Sequence, residues 1–252
     1  MRNLLTLFTC VLLLAPLPTL AVGLNDTGIG FCGDETTNSA NCTTVFVDTG
    51  THPGQDARYG RDAAAAAGKL PKVGGGEASF DFTALDASGQ PTTPGSGTNP
   101  HHCVRDNVSG LVWEVKTDDN GLHDKDWTYS WYNSNSSTNG GNAGSASGGT
   151  CQTAGHCDTE KYVADVNASA LGAYTDWRMP TDDELQSIVH YGRTNPTIDP
   201  TYFPNTPSSG FWSGSPDAYG SSSAWCVFFS YGFVSLSYRN GDGQVRLVRG
   251  GQ

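Results

Sequence analysis

The residues best suited to chemistry form a run of aromatic and small polar side chains at positions 208–244. Tyrosine and tryptophan supply contact area at a small cost in rotamer entropy, and serine, glycine and asparagine supply adaptable hydrogen bonds. This mixture is typical of a binding surface. The predicted ligand contacts are Tyr219, Ser221, Ser223, Phe229, Tyr231, Ser235, Tyr238, Arg239, Asn240 and Asp242.

The aromatic residues of this run have a second interpretation, because large rings are commonly buried. A glycine- and serine-rich β-meander would use them as its core. We expect both roles in one run, with the tyrosines exposed and four other rings buried. The rings predicted to be core are Trp212, Trp225, Phe228 and Phe233.

The chain lacks the local motifs of common hydrolases. It contains no Gly-x-Ser-x-Gly turn and no His-Glu-x-x-His helix. Its densest carboxylate group, Asp182 to Glu184, follows Thr181 at the predicted start of a helix. Helix capping and the helix dipole account for these carboxylates. We therefore predict no catalytic residues and a protein that is not an enzyme.

Three clusters raise the question of a metal. The acidic loop at 118–126 is rich in oxygen ligands, but its spacing is not that of an EF-hand and it lacks a closing glutamate. The other two are His101, His102 and Cys103, and Cys151, His156 and Cys157; neither comes with an evident fourth ligand. We expect no cofactor and no metal, with calcium in the acidic loop as the alternative.

The helices and strands around the aromatic run can be predicted from the spacing of hydrophobic residues and from helix-capping residues. A hairpin at 103–115 precedes a helix at 158–171 capped by Asp158, and Thr181 with Glu184 forms a capping box for a second helix. Short strands are predicted at 210–213, 224–230, 234–238 and 244–249. This order predicts an α+β domain at residues 100–252.

The N-terminal part divides into two segments. Residues 1–21 have the basic start, apolar stretch and small-residue end of a secretory signal peptide, with a retained membrane anchor as the alternative. Residues 22–99 read as an extension and linker with little regular structure. Within the extension we expect a short strand at 44–48, a helical turn or two at 63–67, and a strand around Phe80, Phe82 and Leu85 that docks on the main domain.

Export changes the interpretation of the six cysteines beyond the signal peptide, because oxidising compartments favour disulfides. Six thiols allow about 15 pairings, so the spacing leaves the connectivity open. The short separations favour Cys32 with Cys42 and Cys151 with Cys157. Cys103 and Cys226 then remain as a third pair.

Composition limits the classes of partner. The chain has 252 residues, 32 glycines and a net charge of -11, which describes an acidic protein with one core-forming domain. This acidity argues against DNA, RNA and other polyanions. Arg239, Arg246 and Arg249 are a local exception. They either hold a small anionic ligand or pair with carboxylates of the protein itself.

Several ordered motifs in residues 103–250 resemble the bacterial DUF1566, or Lcl C-terminal domain, family. Agreement among many motifs in one order is more specific than any single motif. The matching segments are VRDN at 104–107, SGLVWE at 109–114, DWRMP at 176–180, EL at 184–185, YFP at 202–204, FWS at 211–213 and VRLVR at 245–249.

The resemblance implies a C-type lectin-like fold, related to the fold of the formylglycine-generating enzyme. It also implies a secreted or cell-surface adhesion protein that binds an extracellular protein or carbohydrate, with no transmembrane segment after signal removal. A periplasmic location is the alternative. Related domains are diversified by retroelements near a Val-Arg-Leu-Val-Arg-like end, so a hypervariable C-terminal run is a further expectation. An enzyme of the formylglycine-generating type and a structural envelope protein are the competing functions.

Overall fold

The computed structural model describes residues 25–34, 36–39, 42, 54–98 and 100–250. The predicted signal peptide at 1–21 and the predicted strand at 44–48 lie outside these residues. Within them, no helix is long and apolar enough to cross a membrane. The architecture is α+β, with short helices and antiparallel sheets, as the sequence predicts.

Nine strands and three α-helices make up the described chain, with short 3-10 helices at Asp56–Arg58 and Leu171–Ala173. The helices are α1 (Gly60–Ala66), α2 (Thr159–Ser169) and α3 (Asp182–Gln186). The strands are β1 (Cys32–Gly33), β2 (Asn38–Ser39), β3 (Phe82–Leu85), β4 (Cys103–Asp106), β5 (Val112–Glu114), β6 (Gly210–Pro216), β7 (Ser223–Phe228), β8 (Phe233–Tyr238) and β9 (Val248–Arg249).

The larger sheet has the antiparallel order β3-β4-β5-β9, so it joins the predicted extension to the C-terminus. Its central hairpin turns through residues 107–110. There the Asp106 carboxylate accepts hydrogen bonds from Val108 N at 2.9 Å and Ser109 Oγ at 2.6 Å. Gly110 has a φ of 76°, a left-handed conformation that glycine adopts without a Cβ penalty. These residues explain why the chain reverses here.

The second sheet has the antiparallel order β6-β7-β8 and carries most of the aromatic run. Its register places Trp212 beside Cys226 and Cys226 beside Ser235. Ser223 lies opposite Tyr238, so the turn before β7 and the turn after β8 are at the same end of the sheet.

The two predicted helix starts are confirmed. The Asp158 side chain accepts a hydrogen bond from Lys161 N, and α2 buries Tyr162 and Val166. Thr181 and Glu184 form the predicted capping box of α3. α3 is short because only Leu185 of its residues is buried.

The described residues form two large clusters of buried side chains and a small third one around Cys32. One large cluster lies against β3–β5 and includes Phe82, Trp113 and Phe203. The other large cluster includes Tyr162 and Trp212. Phe82 comes from the predicted extension, so the strand expected to dock on the main domain does so and shares its core.

Two of the three predicted disulfides are present and the third is wrong. Cys32 is bonded to Cys42, and Cys151 to Cys157. Cys103 and Cys226 are free and buried. Cys103 lies on β4 and Cys226 on β7, in different sheets, and the Cys226 thiol lies 3.3 Å from Ser235 O. Oxidising conditions favour a bond only where the fold brings both sulfurs together.

The shared core predicts that a substitution in β3 destabilises the whole domain. Phe82→Ala removes a ring that is 1% exposed and should lower the free energy of unfolding by about 3–5 kcal/mol. Val73→Ala is the control, because Val73 is 85% exposed in the same N-terminal segment. Urea unfolding measures both. A Phe82 variant as stable as its control would mean that β3 is not part of the cooperative core.

Candidate functional site

Most of the predicted contacts gather at one end of the three-stranded sheet. The Ser223–Tyr238 pairing brings residues 219–223 beside residues 238–242. Phe229 and Tyr231 lie at the opposite end, in the β7–β8 turn, and Ser235 lies in the middle of β8. We call residues 217–222 and 238–242 the turn surface. Its exposed predicted contacts are Tyr219, Ser221, Tyr238, Asn240 and Asp242, with Ser223 half-buried beside them.

Asp217 holds the first turn of this surface and was not predicted from the sequence. It is 8% exposed, and its carboxylate accepts hydrogen bonds from Tyr219 N and Gly220 N, both at 2.9 Å. Ser223 N closes the turn on Gly220 O at 2.9 Å. The Tyr219 side chain is fully exposed above this anchored backbone. A sequence signal for this role exists, because aspartate often accepts a hydrogen bond from the backbone amide two residues further on in a turn.

Arg239 is buried and supports the backbone beneath the turn surface, but it also borders a cleft beside it, so its predicted role as a ligand contact stays a prediction. It is 2% exposed, and its guanidinium lies 4.1 Å from the centre of the Trp131 ring. It donates to Ser223 O at 2.9 Å, to Asn139 O at 2.8 Å and to Asn142 O. Burial lowers the pKa of Arg239, and the Asp217 carboxylate opposes this shift. Arg239 thereby fixes residues 139–142 beside the turn surface.

Two open clefts adjoin the turn surface and share Tyr238 and Asn240. One has a volume of about 500 Å3 and is bordered by Asn142, Ser145 and Ser222. The other has a volume of about 570 Å3 and reaches from Trp212 to Asp242. Tyrosine, asparagine, serine and aspartate side chains therefore face space large enough for a sugar ring or a protein side chain.

A third cleft of about 450 Å3 is lined by none of the predicted contacts. It is bordered by Trp131, Glu160 and Arg178. The charged groups in it already have partners, since Glu160 accepts from Ser134 N and Arg178 pairs with Glu184. Its polar groups are therefore less available to a ligand than those of the turn surface.

Two assignments of aromatic residues in the run are corrected by burial. Phe229 was predicted as a contact but is fully buried, with its ring edge-on to Phe211 at 5.1 Å. Phe233 was predicted as core but is 47% exposed, stacked on Phe228 at 4.7 Å. Phe233 lies on β8 at the edge of the sheet, where fewer neighbours cover it. Trp212 is buried as predicted.

The other two arginines have partners within the protein, so the three do not form an exposed anion site. Arg249 pairs with Asp176 at 2.6 Å, as the carboxylate alternative predicts. Arg246 is fully buried and donates to Glu114 O at 2.6 Å and to Thr206 Oγ1 at 2.7 Å. Burial lowers its pKa to about 10, against the opposing charge of Glu114.

Glu114 is the centre of a buried polar network that sequence reasoning missed. Its Oε1 accepts from Lys116 Nζ at 3.1 Å, from His123 Nδ1 at 3.0 Å and from the Tyr162 hydroxyl. Its Oε2 accepts from Leu247 N at 2.9 Å. Burial raises the pKa of Glu114, but Lys116, His123 and Tyr162 outweigh it and hold the pKa at about 2. The group is thus a buried anion with its hydrogen bonds filled.

The acidic loop uses its central carboxylate internally. Asp124 is 1% exposed and accepts from Asp119 N at 2.7 Å, Asn120 N at 2.6 Å and Asp126 N at 2.9 Å. Lys125 lies within 3.3 Å of both Asp118 and Asp126. Backbone amides and a lysine therefore already bind these oxygens, and calcium in this loop stays an untested alternative to the prediction of no metal.

Comparison with known proteins assigns this domain to a family. The fold is an α+β domain whose C-terminal strands carry an exposed turn surface. The model of the Lcl C-terminal domain family matches residues 102–249, more than half of the chain. The protein therefore belongs to the Lcl C-terminal domain family. No curated protein and no solved structure matches it.

The Glu114 network predicts a large effect of removing its charge. Glu114→Gln leaves Lys116 and Arg246 buried without their counter-ion, which should cost about 3–5 kcal/mol of unfolding free energy. Because the folded pKa is about 2, below the ordinary 4.5, the stabilisation is present above the ordinary pKa and is lost as pH falls toward 2. The difference in unfolding free energy between wild type and the Glu114→Gln variant should therefore become smaller in acid.

Urea unfolding at several pH values between neutral and strongly acidic measures that gap. Glu160→Gln is the matched control, because Glu160 is exposed. A Glu114 variant as stable as wild type at neutral pH, or a gap that widens in acid, would contradict the assignment.

The free cysteines should be unreactive while the protein is folded. Burial raises the pKa of Cys103 to about 12, with Glu114 adding to the shift, and burial also raises the pKa of Cys226. Thiolates are the reactive form, so a thiol reagent should label both peptides only after unfolding. Mass spectrometry of labelled peptides checks each position. Rapid labelling of native Cys226 would contradict this and would favour a catalytic thiol.

Proposed function

We propose that this protein is an exported ligand-binding or adhesion protein whose turn surface binds an extracellular protein or glycan. The observation that carries the proposal is the exposure of Tyr219, Tyr238 and Asn240 on backbone held by two buried side chains. Those anchors are Asp217 and Arg239. Binding costs less when the contact residues are already positioned.

The chemistry of the turn surface suits a neutral ligand or one with cationic groups. Its exposed side chains offer two aromatic rings, hydroxyls, the Asn240 amide and the Asp242 carboxylate. Its arginine is buried, and the Nε and Nη1 groups of that arginine donate to three carbonyl groups. Since the chain also carries a net charge of -11, polyanionic glycans are disfavoured.

The family resemblance supports the finer parts of the proposal. A C-type lectin-like fold would bind its ligand on C-terminal strands and turns, and the turn surface lies on such strands and turns. Hypervariability of this run is part of the proposal, because exposed positions tolerate substitution at little cost in stability. The formylglycine-generating-like enzyme and the structural envelope protein stay competing hypotheses.

Binding should depend on the turn surface and on no other exposed group of similar size. We expect the triple variant Tyr219→Ala, Asn240→Ala and Asp242→Ala to lose most binding on arrays of neutral and sulfated glycans and of purified extracellular proteins. Its melting temperature should match that of wild type, because all three side chains are exposed. Val73→Ala is the control for an exposed residue elsewhere. Unchanged binding by the triple variant would refute the proposal.

A further inference from the structure

Three of the four edges of the two larger sheets are covered by other segments of the chain. Gly75 exchanges backbone hydrogen bonds with Phe82 on β3, at 2.8 and 2.6 Å. Arg178 does the same with Val248 on β9, at 2.9 and 3.0 Å. Gln244 bonds to both Gly210 and Trp212 along β6. The fourth edge is β8, and no segment within the described residues pairs with its outer side.

The register of β7 and β8 shows which backbone groups are left unpaired. Arg239 N donates to Ser222 O at 2.9 Å in continuation of the β7–β8 ladder. Because antiparallel strands alternate between bonded and non-bonded pairs, residues 233, 235 and 237 bond to β7. The amides of Val234, Leu236 and Tyr238 therefore point away from the sheet. The three N–H groups and the carbonyl groups of Val234 and Leu236 form a row of donors and acceptors along an open edge, and the Tyr238 carbonyl already accepts from Gly241 N at 2.8 Å.

The sequence of this edge lacks the usual protection against pairing. Natural edge strands are blunted by lysine, proline, bulges or covering loops. β8 reads FVSLSY, with no charge, no proline and a continuous six-residue register to β7. Phe233, Leu236 and Tyr238 are 47%, 41% and 71% exposed. The edge is therefore both apolar and able to form hydrogen bonds.

We propose that β8 pairs with β8 of a second copy of this chain, antiparallel about a twofold axis at Leu236. This register places Leu236 opposite its own copy and Val234 opposite Tyr238, so each outward N–H group faces a carbonyl group of the partner strand. The Tyr238 carbonyl then accepts from two donors, because it also accepts from Gly241 N. Each copy offers the same surface, as a twofold interface requires. Like charges opposite each other destabilise strand pairs, and β8 has none.

A second copy of β8 suits this edge for two reasons. Its sequence is neutral, and its outward amides alternate with inward ones at the same spacing. The net charge of -11 on each chain opposes the approach of two copies at low salt. Salt screens that repulsion while leaving the neutral β8 contact intact. Association should therefore strengthen as salt is raised. This inference goes beyond ligand binding, although Tyr238 lies in both surfaces.

Sedimentation velocity of the purified protein across micromolar concentrations tests the pairing. We expect a concentration-dependent dimer with twice the mass of one chain. Leu236→Lys should weaken it by at least about tenfold, since two lysines would face each other across the axis. Val73→Lys introduces the same charge at an exposed apolar residue away from β8 and should leave the dimer unchanged. Circular dichroism confirms that both variants are folded.

A cysteine substitution tests the register. Hydrogen-bonded antiparallel pairs have Cα atoms about 5.5 Å apart, within the range of a disulfide. Leu236→Cys should form covalent dimers under mild oxidation, and Val73→Cys should not. The free thiols among the described residues, Cys103 and Cys226, are buried. Wild type without the predicted signal peptide, which contains Cys10, should therefore give no covalent dimer.

Several results would overturn the pairing. Wild type that stays monomeric at all concentrations and salt conditions would do so, even if β8 captured an unrelated polypeptide. A dimer that survives Leu236→Lys, or that leaves Leu236→Cys uncrosslinked, would place the interface elsewhere. Failure of the ligand proposal is separate: Asn240→Ala should leave the dimer intact, because Asn240 lies outside β8.

Discussion

The buried carboxylate of Glu114 constrains how four segments of the domain are arranged. A carboxylate removed from water is tolerable only if its hydrogen bonds are supplied by the protein. One donor, Lys116, lies two residues along the chain. The others come from the acidic loop through His123, from α2 through Tyr162 and from the C-terminal segment through Leu247. One side chain therefore selects the mutual arrangement of four segments.

The placement of the C-terminal segment carries this constraint to the candidate site. Leu247 bonds to Glu114, and the preceding Gln244 covers the open side of β6. With β6 fixed, β7 and β8 have a defined position, and Arg239 at the end of β8 stacks on Trp131. Buried polar groups thus fix the backbone, and exposed tyrosine, asparagine and aspartate side chains remain free for a ligand. The site is thus divided into buried residues that anchor the backbone and exposed residues that can contact a ligand.

Local signals in the sequence predicted local structure well. Asp158, and Thr181 with Glu184, marked the two helix starts, and the short cysteine spacings marked two disulfides. These features depend on neighbours within a few residues. The alternation around Phe82 also predicted a docking strand.

What the sequence could not supply were properties set by distant segments. The burial of Phe229 and Arg239 and the exposure of Phe233 depend on which side of a sheet is covered. Residue type alone does not determine this. The Glu114 network joins residues separated by up to 133 positions, so no local sequence pattern predicts it. Cys103 and Cys226 were paired by elimination, and elimination carries no information about distance.

Hydrogen–deuterium exchange, with and without a glycan or protein that binds wild type on the array, tests whether the turn surface is the ligand site. Protection on binding should concentrate in residues 217–222 and 238–242, while exchange around Glu114 should stay slow in both samples. Protection confined to the cleft beside Trp131, Glu160 and Arg178 would contradict it. The turn surface would then be an exposed surface without a ligand.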